Sequence, residues 1–162
     1  MFDAFLKLEG VVGESTRAGF EKQLEILSFS FGVSNPTTIG SASGGGGAGR
    51  ASVSAFNLMK QSDAASPTLF QACASGKHFP KATVTLQKAG GDKAVPYLVY
   101  EFENCYIESI QWSGSTGGDD TPTESMSLAF GKVTITHTPQ AVQGAVAPKP
   151  VVGSWDITTV SK

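Results

Sequence analysis

Hydrophobic positions in this chain recur mainly with a period of two, the spacing of strands that bury one face. Residues 2 to 8 (FDAFLKL) and 22 to 34 (KQLEILSFSFGVS) predict the first two strands, with a polar segment containing Gly13, Glu14 and Ser15 between them. In the second, Leu27, Phe29, Phe31 and Val33 share one face and Ser28, Ser30, Gly32 and Ser34 share the other. The apolar face is assigned to the core. Leu24 and Ile26 break that parity, so either a bulge lies near Ile26 and Leu27 or these two side chains meet a neighbouring subunit.

Residues 37 to 49 (TTIGSASGGGGAG) bury almost nothing to offset their conformational entropy and predict a long flexible loop. A strand over residues 51 to 59 follows. The segment SDAASPTLFQACASGK predicts the main helix, with Ser66 as N-cap, Pro67 in the first turn and Gly76 as terminator. Leu69, Phe70 and Cys73 form its apolar stripe. Residues 82 to 88 alternate cleanly, and residues 95 to 112 predict two strands or one long bent strand, reached through a hairpin turn at residues 89 to 92. After the loop SGSTGGDDTPT, Met126, Leu128 and Phe130 take one parity and Val133 and Ile135 the other, which a bulge around Gly131 reconciles. A proline-containing extended tail over residues 138 to 153 leads to a last strand around residues 155 to 160. The whole chain, residues 1 to 162, reads as a single mainly β domain without internal repeats: an antiparallel β-barrel, closed or nearly so, with one short α-helix packed against it. A β-sandwich is the alternative.

Composition narrows the function. The formal charge of −2 offers no basic excess for phosphates, so no nucleic-acid partner is expected. No apolar run approaches the roughly 20 residues that span a bilayer, so no membrane insertion is expected either. The N-terminus MFDAFLKLEG lacks the pattern of a secretory signal. Cys73 and Cys105 lie outside any C-x-x-C pattern and read as buried thiols. Nineteen glycines and a charged fraction of 16% point to many turns and to a surface that other subunits can cover.

Candidate chemistry is sparse. Residues 44 to 49 formally contain G-x-G-x-x-G, but a strand rather than a helix follows, and Arg50 and Ala51 stand where a P-loop needs lysine and a hydroxyl residue. His78 and His137 have no ligand spacing, and no G-x-S-x-G or H-E-x-x-H motif occurs. Glu101 and Glu103 share a strand face as a carboxylate pair, an arrangement more typical of a solvated or interface surface than of acid–base catalysis. No cofactor, metal or catalytic residue is expected. A soluble hydrolase, a β-sandwich binding module and a phage-like tail tube protein are the competing readings.

The segment SPTLFQACASGKHFPKATVTLQKAG at residues 66 to 90 resembles the most characteristic stretch of the Hcp family, a helix ending in A-C-x-S-G-K-H-[FY]-P before an alternating strand and a K-A-G turn. FLKLEGVVGES, LSFSFGVS, GGGGAGR and TESMSLAFGKVTITHTPQ extend the likeness over almost the whole chain. The loop at residues 114 to 123 and the tail after Gln140 match least. The resemblance implies a non-enzymatic subunit of the type VI secretion tube: six-membered rings of identical subunits, stacked into a tube that a contractile sheath expels with a spike at its tip. It further implies export of a cytoplasmic protein without a signal peptide, and effectors carried in the lumen. Ser28, Ser30 and Gly32 are the expected lumen contacts. Ser41, Gly44, Gly45, Gly46, Gly47, Gly49 and Arg50 are expected to form a ring-stacking loop on an axial face.

Overall fold

A computed structural model describes residues 1–39, 47–88, 95–118, 120–140 and 148–162. Thirteen strands and one helix follow in chain order among them. They are β1 (Phe2–Leu8), β2 (Leu24–Ile26), β3 (Ser28–Ser30), β4 (Val33–Ser34), β5 (Thr37–Thr38), β6 (Gly47–Ala48), β7 (Ser52–Val53) and β8 (Phe56–Gln61). Helix α1 (Ser66–Ser75), β9 (His78–Lys88), β10 (Pro96–Ser113), β11 (Thr123–Ala129), β12 (Lys132–His137) and β13 (Val151–Asp156) complete the chain.

Nine of these strands form one antiparallel sheet in the order β2-β1-β9-β10-β11-β8-β3, with β12 and β13 branching from β10. The mainly β class with one helix is as expected from the sequence. The sheet, however, is not closed into a barrel by continuous pairing. Its two ends, β2 and β3, are consecutive pieces of one segment that breaks at Leu27. Leu24 and Ile26 enter the core beside β1, whereas Phe29 enters it beside β8, so the chain must rotate by one residue between them. Leu27 absorbs that rotation: its N–H donates to Met59 O at 2.8 Å while its side chain is left exposed. The bulge is therefore the correct alternative, and Leu24 and Ile26 are buried within their own subunit. Leu27 and Val33, assigned to the core face, are both exposed.

Residues 96 to 113 form one long bent strand. Its N-terminal half pairs β9 on one edge and β12 on the other, and its C-terminal half pairs β11. Asn104, with φ +56°, marks the bend, and β11 gives way to β12 opposite it at Phe130 and Gly131. This is the predicted parity change. A second irregularity, between Ile107 and Ser109, leaves Glu108 as an unforeseen bulge residue. The last strand ends earlier than the sequence implied, because Asp156 Oδ1 accepts hydrogen bonds from the Thr158 and Thr159 amides and turns the chain. The turn at residues 89 to 92 lies outside the described residues, but β9 and β10 pair antiparallel as its hairpin requires.

The core is dominated by aromatic rings. Phe56 and Phe102, both 0% exposed, have centroids 5.1 Å apart, and Phe130 lies 4.6 Å from Phe102. Phe31 and Tyr100 complete the cluster. Helix α1 packs its Leu69 and Ala72 on β10. Its N-cap is Ala65 rather than Ser66 and supplies no side-chain cap; Asp63 Oδ1 accepts the Ala65 N–H at 3.0 Å, and Ser66 Oγ accepts the Asp63 N–H at 2.9 Å. Gly76 ends the helix at φ +65°, the left-handed conformation that favours glycine. Phe70 departs from the predicted stripe and is exposed; Cys73 is half-buried. Cys105 is fully buried, and that burial pushes its thiol up to about 11.

Two charged side chains occupy core positions. Lys60 lies in phase with Phe56 and Leu58, and Glu124 in phase with Met126 and Leu128; they are direct cross-strand partners. Lys60 Nζ donates to Glu124 Oε2 at 2.7 Å, to Asp63 Oδ1 at 3.0 Å and to the Gln61 carbonyl at 2.9 Å. Trp112 Nε1 donates to Glu124 Oε1 at 2.7 Å. Burial pushes the Glu124 carboxyl up, but hydrogen bonds from Lys60, Ser66 and Trp112 together with the Lys60 charge hold it below its ordinary value.

Removing one partner strands a buried charge, so Lys60→Met is expected to cost about 3–5 kcal/mol in chemical denaturation, and Lys60→Met with Glu124→Leu less than that. A double variant no more stable than the single would contradict the pairing. A lowered carboxylate pKa contributes stability that is complete above the unfolded value of about 4.3 and drains as pH falls through the folded value. The stability gap between the native chain and Glu124→Gln should accordingly narrow from pH 6 to pH 3.

Candidate functional site

Register in the β3, β8, β11 and β10 region determines which side chains share a surface, because residues directly opposite in antiparallel strands project to the same side. Phe29, Leu58, Met126 and Ile110 are successive partners and form the inner row. The flanking rows face outward. Ser30 is opposite Asn57, which is opposite Ser127, which is opposite Ser109; Ser28, Met59, Ser125 and Gln111 make the next row; Gln61, Thr123 and Ser113 make the third. These rows contain hydroxyls, amides and one thioether, and no charge. Ser127 donates to Asn57 Oδ1 across the face.

Ser28 and Ser30 thus belong to a continuous polar surface that a reading of one strand could only hint at, and both are exposed. Gly32 lies beyond the end of β3. Its N–H donates to Ser54 Oγ at 3.0 Å and its carbonyl accepts the Ser54 N–H at 2.9 Å. There the chain leaves the body as an arm, with β4 paired to β7 and β5 to β6. The expected loop over residues 37 to 49 is therefore partly a hairpin. Gly49 N donates to Pro36 O at 2.7 Å, and a Cβ at Gly49 would lie 2.4 Å from that oxygen, so this close approach requires glycine. Arg50 is exposed at the base of β6. Ser41, Gly44, Gly45 and Gly46 lie outside the described residues.

The remaining candidates resolve into structure. Glu101 meets Lys81 at 3.2 Å and Glu103 meets Lys132 at 3.8 Å, so the carboxylate pair is divided between two lysines on flanking strands. Both pairs are solvent-exposed and contribute under about 1 kcal/mol each. Among the described residues no three His, Cys, Asp or Glu side chains are grouped to hold a metal. A surface depression of about 190 Å³ is lined by Glu14, Ser15, Glu25, Ser62 and Asp63, and Ser15 Oγ there accepts the Arg17 N–H. The residues that sequence reading missed are Asn57, Met59 and Gln61 on β8, Ser109, Gln111 and Ser113 on β10, and Thr123, Ser125 and Ser127 on β11. Alternation with buried neighbours marks them as outward-facing, but only the register joins them to Ser28 and Ser30.

Comparison with known proteins agrees with this architecture. Residues 5–137 match the family described as "Type VI secretion system effector, Hcp". The chain is 37% identical over 155 residues to "Protein hcp1" of Pseudomonas aeruginosa strain PAO1, covering 96% of this chain and 94% of that protein. A solved structure of a "type six secretion system protein" superimposes with a TM-score of 0.91 at 33% identity, covering 99% of both chains. Hcp1 from Salmonella typhimurium does so with a TM-score of 0.80 at 30% identity, covering 99% of this chain and 97% of that one. A family match over most of the chain, and a fold shared end to end with solved members, lead to one conclusion: the chain belongs to the Hcp family, the secreted, ring-forming tube proteins of the type VI secretion system.

Proposed function

We propose that six copies of this chain close into a ring whose lumen is lined by the uncharged face of β3, β8, β11 and the C-terminal half of β10. Ser28 and Ser30 lie on that face, and Gly32 continues its edge. The supporting observation is the face itself: three outward rows of hydroxyl and amide side chains, with Met59 among them and no charge. Such a surface can pass a protein without holding it by charge. Rings stack head to tail through the arm, including Ser41, Gly44, Gly45, Gly46, Gly47, Gly49 and Arg50, because a two-stranded hairpin with little apolar cover gains order from a partner. The tube is driven by a contractile sheath, tipped by a spike, and carries effectors in its lumen. It reaches the exterior by that route, and its role is structural rather than catalytic.

Native mass spectrometry at micromolar concentration should give a hexamer; monomer alone, or a two-fold dimer, would count against the ring. Ser30→Gln should leave hexamers and thermal midpoint nearly unchanged while lowering co-export of a lumen-carried effector. Loss of folding would show that Ser30 packs inside the ring wall, and unchanged export would remove it from the channel. Deleting residues 44 to 47 should spare hexamers and shorten tubes seen by electron microscopy; loss of hexamers would move the arm to the lateral contact.

A further inference from the structure

The uncharged face has two unlike ends. At the end marked by Ser30 and Asn57 the arm leaves the body, with Val33 and Ile39 66% and 91% exposed. Arg50 is the only charged residue between Phe31 and Ala55. At the Gln61 end, Phe70 of α1 lies 5.9 Å from Trp112 of β10, and both rings are exposed, by 58% and 42%. Beside them runs the β10–β11 loop, in whose described part, residues 114–118 and 120–122, Asp120 is the one charged residue. Asn57 and Gln61 on β8 separate these ends by about 13 Å at ~3.3 Å per residue. Among the described residues, neither Arg50 nor Asp120 joins an ion pair within the subunit.

We propose that these two ends meet between copies of this chain. The arm of one subunit seats Val33 and Ile39 on the Phe70 and Trp112 pair of a subunit in the next ring, and Arg50 is held by Asp120 of the β10–β11 loop. The inference rests on the tube reading and adds to it the receiving surface. Among the described residues, each end carries an apolar feature left exposed by its own subunit, and the charges of the two ends are opposite. A contact between two arm ends would place Arg50 against Arg50, and one between two helix ends would oppose acids, so only head-to-tail contact pairs unlike charges. An interface between two different surfaces of one chain propagates rather than closing as a dimer, as a tube requires.

The test is charge exchange on intact rings, concentrated with polyethylene glycol until the native protein stacks and then counted by electron microscopy. Arg50→Glu should leave the hexamer mass unchanged and reduce stacked rings at least tenfold. Asp120→Arg should do the same, and combining the two should restore at least half of the native stacking. Phe70→Ser, at an exposed position, should also reduce stacking with rings intact. Arg50→Glu rings that stack like the native protein would overturn the inference, as would a double variant with no recovery. Normal stacking of Arg50→Glu with lost export in cells would assign the arm to a different protein and overturn it equally. A native chain that forms no rings, or rings that never stack, would instead remove the tube reading on which the inference rests.

Discussion

The architecture depends on β10 satisfying hydrogen-bonding partners along 18 residues without remaining straight. A strand that long accumulates twist, and here it bends at Asn104 and bulges at Glu108. Before the bend it joins β9 to β12 and β13; after it, it joins β11 and through it β8 and β3. Helix α1 packs on the same strand. The aromatic cluster draws Tyr100 and Phe102 from the first half, and the polar face draws Ser109, Gln111 and Ser113 from the second. One bent strand therefore positions both the core and the outward polar face.

Charge is distributed against the usual preference. Lys60 and Glu124 are buried, while a broad outward face beside them has none. The two facts belong to the same pair of strands: alternation sends Lys60 and Glu124 inward and Asn57, Met59, Ser125 and Ser127 outward. Asp63 and Trp112 extend the buried pair to the helix entry and to β10, so the polar network ties together three elements that apolar packing alone would leave free to slide. Its hydrogen bonds are what make two desolvated charges tolerable.

Strand and helix identities were largely legible in the residues, because alternation and the Pro67 and Gly76 signals act over a few positions. The parity breaks at Leu27 and Gly131 were legible too. Where the reading failed, the competing interaction came from distant residues. Phe70 left the buried stripe to lie against Trp112. Barrel closure failed because the residue count between Ile26 and Phe29 forces a rotation that interrupts the ladder. Of the lumen candidates, Ser28 and Ser30 were visible from one strand; their neighbours on β8, β10 and β11 were not.

By itself the sequence determined the family, the β class, the position of the helix and, outside the segment broken at Leu27, which side of the main strands avoids water, since these follow from local patterns and from motifs of adjacent residues. Only the tertiary structure decided which outward residues lie side by side, that Lys60 and Glu124 share one buried pair, and that the arm and the Phe70 and Trp112 pair occupy opposite ends. The reason is register. Period-two alternation gives every strand two faces, but pairing between strands far apart in sequence chooses the neighbours on each face, and that choice is made by the packed core as a whole.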